Sequence, residues 1–136
     1  MPGIDECLLA AMTLPGARGA AVVDWTSGLA LGTVGEAPSG DHESSAAETA
    51  ELARMAAEHV SFEPHDPASR SDGPDDKGLP VEDVIITSRV GYHLLRFVET
   101  TFDSSVFIHL WLDRDAGNLA LARLRLQELA DRLVLV

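Results

Sequence analysis

The sequence predicts a mixed chain of the α+β kind (α/β in the broad sense), with the element order α-β-β-α-β-β-β-α. Three observations carry that prediction. Residues 16 to 34 hold two short apolar runs around a turn at Asp24, Trp25, Thr26, Ser27 and Gly28. Asp and Ser can bond their own backbone in such a turn, and Gly28 can take the positive φ that closes it. Residues 84 to 112 supply three further apolar runs with strand-like spacing, and apolar residues at helical spacing flank and separate the two β regions.

Taken in order, residues 3 to 14 place Ile4, Cys7, Leu8, Ala11 and Met12 at helical spacing, with Asp5 and Glu6 suited to the positive end of the first turn. Pro15-Gly16 stops this helix. The hairpin strands follow at about 18–24 and 28–34, then a polar connection at 35–43. Ser45, three residues before Glu48, reads as a capping box and predicts a helix over about 44–60. Ala46, Ala50, Ala53, Ala57 and Val60 form one ridge of that helix, and Leu52, Met55, Ala56 and His59 form another. A helix apolar on two sides needs two partners, such as its own sheet and a neighbouring subunit. The alternative is that alanine is here simply a good helix former.

Residues 61 to 80 hold four of the seven prolines, two glycines and four aspartates, with Phe62 and Leu79 the only large apolar side chains. Such a segment buries too little surface to offset its ordering entropy, so a flexible acidic loop is expected. Val84 to Thr87 has the β-branched density of a strand. A turn at Val90-Gly91-Tyr92 leads into a second strand at about 92–98. The third, about 104–112, alternates Val106, Ile108, Leu110 and Leu112 with Phe107, His109 and Trp111. Apolar residues on both faces predict a strand near the middle of a covered sheet. Over 116–134, the spacing Leu119, Ala122, Leu126, Leu129, Leu133 predicts a final helix capped by Asp115 or Asn118, with Glu128 and Arg132 placed as an i,i+4 pair.

One domain over 1–136 is the expectation for this length. The formal charge is −12, of which residues 36 to 80 carry −8 from eleven acids and three bases. A phosphate backbone or anionic membrane would repel such a chain, so nucleic-acid binding is not expected. The acidic N-terminus lacks a signal-peptide pattern, and no run approaches the roughly 18 apolar residues of a membrane span, so membrane insertion is not expected either. A single cysteine, Cys7, allows no internal disulfide. A cytoplasmic location is the default.

The search for chemistry returns little. No Gly-x-x-x-x-Gly-Lys-Ser/Thr loop is present, and Gly16-x-x-Gly19 precedes a strand and reads as turn glycine. His93 and His109 fall on neighbouring predicted strands, but two histidines without matched carboxylates or cysteines are weak evidence for zinc. His65, Asp66, Asp72, Asp75 and Asp76 lack the spacing of a calcium loop. Asp5 and Glu6 beside Cys7 disfavour its thiolate. Ser104 and Ser105 have no His-Asp partner nearby in sequence. Trp25 is either a partner anchor or a local packing residue, and Trp111 reads as core. No enzyme and no cofactor are expected.

Across nearly the whole chain except 61–80, the sequence resembles the roadblock/LC7 domains, a family that includes the dynein light chain roadblock and the bacterial protein MglB. The resemblance lies in the Gly19-to-Val34 hairpin with its Asp-x-x-x-Gly turn and in the small-residue helix 46–60. It extends to the Ile-Ile-Thr-Ser-Arg-Val-Gly-Tyr run at 85–92 and to the Asn118-Leu119-Ala120 opening of a Leu-rich last helix. The long acidic loop departs from the family's usual shorter connection.

The resemblance implies a profilin-like, five-stranded antiparallel sheet with the central helix on one face and the two terminal helices on the other. It implies a homodimer in which helix 44–60 packs beside its mate and strand 83–88 extends the sheet. Interface residues would then be Ala46, Ala50, Ala53 and Ala57 on the helix and Val84, Ile85 and Ile86 on the strand. Close helix packing suits the small ridge. The partner it implies is a small Ras-like GTPase, regulated or scaffolded without catalytic residues, with a sensor kinase as a further module in some bacterial systems. Arg18, Arg54 and Arg89 are chemically able to act as an arginine finger, but each reads as surface arginine. The competing expectations are a ligand-sensing regulatory domain and a structural adaptor of a larger signalling complex.

Overall fold

The computed structural model describes residues 3–62, 79–99 and 105–133. Helix α1 (Ile4–Ala11) leads into strands β1 (Ala17–Asp24) and β2 (Leu29–Gly35). Helix α2 (His42–Glu58) follows, with a single 3-10 turn at Val60–Phe62. Strands β3 (Asp83–Thr87), β4 (Gly91–Val98) and β5 (Val106–Asp113) precede the last helix, α3 (Leu119–Arg132). The five strands make one antiparallel sheet in the order β2-β1-β5-β4-β3. The expected α+β element order is the observed one.

The hairpin turn forms as its residues dictate. Asp24 accepts the Thr26 backbone N–H at 2.9 Å and the Thr26 hydroxyl at 2.6 Å, and the Gly28 N–H donates to the Asp24 carbonyl at 2.8 Å. Gly28 takes φ +78°, a conformation that a side chain would strain. On β2, Gly32 lets α1 approach, since a Cβ there would stand 2.5 Å from the Ile4 side chain.

β5 lies at the centre of the sheet and is buried at seven of its eight positions, as its two-faced apolar pattern requires. Its even residues, Val106, Ile108, Leu110 and Leu112, join Ala20, Val22, Leu94 and Val98 beneath α1 and α3. On the opposite face Phe107 joins Ala21, Val23, Leu95 and Phe97 beneath α2. One helix on one face and two on the other is the layering that the resemblance implied.

Three local expectations need correction. Helix α2 starts at His42, not near residue 44, because Asp41 outcompetes Ser45 as its cap: the Asp41 carboxylate accepts from the Glu43 N–H and the Ser44 hydroxyl. Those same two donors hold the Asp41 carboxyl below the usual carboxylate range, the Ser44 hydroxyl contributing most. Ser45 is instead a buried residue of the first turn, 2.7 Å from the Ser39 hydroxyl. Helix α1 ends at Ala11, where the chain turns before Pro15 rather than continuing to it. Glu128 pairs with Arg125 at 3.3 Å rather than with Arg132. Of the expected loop at 61–80, only residues 61, 62, 79 and 80 fall among the described residues.

Asn118 caps α3, its side-chain oxygen accepting from the Leu121 N–H at 3.0 Å. Asn118→Ala is expected to destabilise the fold by about 1 kcal/mol, read as a lower urea midpoint at unchanged slope.

Candidate functional site

The site follows from how closely α2 approaches its sheet. Ala46, Ala50, Ala53 and Ala57 all point down and are buried against β1, β4 and β5. The small ridge is thus filled by the chain's own core. Such short side chains let the helix sit low over the β1 and β2 side. The second ridge is left facing sideways, towards β3.

Between that ridge and the edge strand runs an open groove with two stretches. The stretch nearer the end of α2, about 460 Å³, has an almost wholly apolar surface formed by Leu52, Met55, Ala56, Phe62, Val81 and Val84, with His59 and Asp83 also at its wall. Met55 and Phe62 are more than half exposed, and Ile86, further along β3, is 37 % exposed. The stretch nearer the start of α2, about 470 Å³, brings Ser45, Glu48 and Thr49 of the helix over Ile86, His93 and His109 of the sheet. Apolar side chains gathered in the open beside a strand that ends the sheet among the described residues are a feature that isolated soluble domains keep small.

The two faces of β3 differ in character. Val84 and Ile86 pair with Leu95 and His93 and turn towards α2. Asp83 turns the other way, where its carboxylate accepts from Arg123 at 2.8 Å and lies 3.8 Å from Arg96. Ile85 is on that same side and is 38 % exposed. The apolar character of the edge therefore belongs mainly to the α2 side.

On the floor of the groove, His93 Nδ1 lies 3.1 Å from His109 Nε2. His93 also stacks on Trp111, with ring centroids 5.8 Å apart and planes within 4°. Arg18 covers Trp111 at 4.3 Å while pairing with Glu36 at 2.8 Å. The Trp111 indole N–H donates to the Glu36 carbonyl at 2.7 Å. Burial pushes the His109 pKa down to about 3, with repulsion from His93 adding to it, and burial also lowers that of His93. Both rings are neutral near pH 7, and one donates its N–H to the other.

Other sequence candidates are placed as follows. Cys7 is buried in the α1 core, where loss of solvation raises its thiol pKa to about 11. Burial, not the neighbouring carboxylates, is what suppresses its thiolate. Trp25 packs against the α2-side core, and its backbone N–H donates to the Ser105 carbonyl at 2.8 Å. Gly16 sits in a turn at φ +77°, and Gly19 lies within β1 where Glu36 leaves no room for a Cβ. Arg54 is half-buried and Arg89 exposed. His65, Asp66, Asp72, Asp75, Asp76 and Ser104 lie outside the described residues. Among the described residues no three His, Cys, Asp or Glu side chains gather to hold a metal ion, and no helix is long and apolar enough to cross a membrane.

The groove itself was not read from the sequence. Its signal was the second ridge of α2, Leu52, Met55, Ala56 and His59, whose orientation depends on which ridge the sheet takes.

No protein-family model matches the chain, and no curated protein does. Solved structures do. MglB of Myxococcus xanthus is similar in structure at a TM-score of 0.70 and 16 % identity, covering 94 % of this chain and 82 % of that one. A second MglB structure, described as having a tetrameric arrangement, is similar at a TM-score of 0.68 and 15 % identity, with the same coverage. A roadblock/LC7 domain from Streptomyces avermitilis is similar at a TM-score of 0.58 and 18 % identity, covering 95 % of this chain and 92 % of that one. With the element order, the sheet topology and these likenesses together, the chain has the fold of the roadblock/LC7 domains.

Proposed function

We propose that this chain is a non-catalytic, cytoplasmic module that associates with a second copy of itself and binds a small Ras-like GTPase, modulating its nucleotide cycle or its location. The observation that supports this most is the apolar groove between α2 and the open edge of β3, on a fold shared with MglB. A second copy laid against that groove would cover Leu52, Met55 and Ile86, and would pair with the edge strand β3 through Val84, Ile85 and Ile86. The alanine ridge supports the arrangement indirectly, by seating α2 low enough to leave the second ridge free. One MglB structure carries a tetrameric arrangement in its description, in keeping with self-association on this fold. The GTPase, and a sensor kinase as a further module, rest on the resemblance to the family.

The test is affinity capture from lysate of the native cell, divided between a non-hydrolysable GTP analogue and GDP. A small Ras-like GTPase enriched in one nucleotide state is the expected result. Its absence from both halves would overturn the GTPase part of the reading.

The stretch of the groove nearer the start of α2, where the buried Ser45 of the helix lies over the buried His109 of the sheet, supports a second reading as a ligand-sensing domain or an adaptor. A small molecule that raises the melting temperature would favour the sensor.

A further inference from the structure

His93 and His109 stand on neighbouring antiparallel strands, in a diagonal relation. His93 is opposite Trp111, and His109 is opposite Leu95. All four side chains face α2, so the two imidazoles meet under the helix, Nδ1 to Nε2 at 3.1 Å. Two neutral rings share one proton across that contact. A second proton makes one ring an imidazolium that donates to the other.

The two rings differ in access to that second proton. His109 is 3 % exposed, and burial with repulsion from His93 puts its pKa at about 3. It stays neutral and serves as acceptor. His93 is only half-buried and opens into the groove, so it is the ring that charges as the pH falls. Water in the open groove hydrates the charged form. A second copy seated in the groove would remove that water, and loss of solvation disfavours the imidazolium.

We infer that the self-association proposed above is proton-linked, with the His93–His109 pair as the sensor and acid favouring separation of the copies. This rests on the self-association reading and adds to it a condition under which the copies part.

The surroundings of His93 decide the sign. From β5 it meets His109, whose neutral nitrogen accepts its proton, and the uncharged Trp111. From β1, Arg18 lies over Trp111 and is paired with Glu36, which compensates its charge. From β3 the facing residue is Ile86, which carries no charge. From α2, Glu48 lines the same stretch of groove and is the one carboxylate among its lining residues, while His42 adds weak repulsion at His109. Burial already lowers the pH at which His93 charges, and Glu48 does not restore the water that a second copy would displace.

Proton uptake on separation makes the dissociation constant rise as the pH falls below the pKa of His93 in the free protomer. With one site per copy, the limit is about a hundredfold per pH unit. General acidification works the other way, because it reduces the repulsion between two chains of charge −12. The diagnostic quantity is therefore the difference between the natural chain and a variant lacking His93.

The dissociation constant of the full chain would be measured by sedimentation equilibrium at about pH 7.5 and about pH 5.5, at fixed ionic strength, for the natural chain and for His93→Gln. The natural chain is expected to weaken by about tenfold or more over that interval, and His93→Gln by less than about threefold. Dilution calorimetry of the natural chain in two buffers of different ionisation heat gives an independent reading, needed if the variant misfolds. Net proton uptake on separation is the expected result there. Equal pH dependence in both proteins, or no proton uptake, would overturn the sensor while leaving self-association standing. A single-copy mass at both pH values and tens of micromolar would overturn the self-association reading, and this inference with it.

Discussion

Ala50→Leu is expected to destabilise the folded chain by about 1–3 kcal/mol, because the extra carbons must enter a core that is already full. Ala50 has no exposed surface and packs in the cluster formed with Ala21, Val23, Leu95, Phe97 and Phe107. The larger side chain would push α2 off the sheet and change the shape of the groove beside it. The measurement is urea unfolding at several protein concentrations. An effect within the protomer core persists at every dilution. If the alanine ridge lay instead against a second copy, the loss would fade as the copies separate on dilution. That outcome would require α2 to be turned about its axis relative to the arrangement described.

Much of the fold was legible because each signal was local. The Asp24-to-Gly28 turn carries its own hydrogen-bonding chemistry, so the hairpin could be placed from a dozen residues. The alternation of Val106 to Leu112 announced a strand covered on both faces, and it is the central strand. Asn118 announced its helix and caps it. What the sequence left open was competitive or long-range. Asp41 and Ser45 are both good caps four residues apart, and the winner is set by where the chain leaves β2. The two ridges of α2 are both apolar enough to face a sheet. Only the narrow clearance above β1 and β2 selects the alanines. The histidine pair needed the register of β4 on β5, and a shift of one residue would send His93 to the opposite face.

An exposed apolar surface is therefore left on the side of α2 that the sheet does not take. Met55 projects there and is 55 % exposed, so its replacement costs the isolated protomer little. Met55→Glu is expected to fold normally, since glutamate is a good helix former at an exposed position. In the proposed assembly the same residue is covered, once in each copy. Burying an unpaired carboxylate costs several kcal/mol per ion, so two of them should weaken association by about a thousandfold or more. The size of that effect, with stability preserved, separates an interface role from a structural one. It also separates the groove from the Asp83, Arg96 and Arg123 side of β3, where an added charge would meet charge.

Sedimentation of the natural chain beside Met55→Glu, at tens of micromolar and near neutral pH, tests the central claim most directly. The account predicts twice the 14.5 kDa subunit mass for the natural chain and the single-subunit mass for the variant, with identical circular dichroism. A natural chain that sediments as one subunit, or a variant that stays paired, would contradict it.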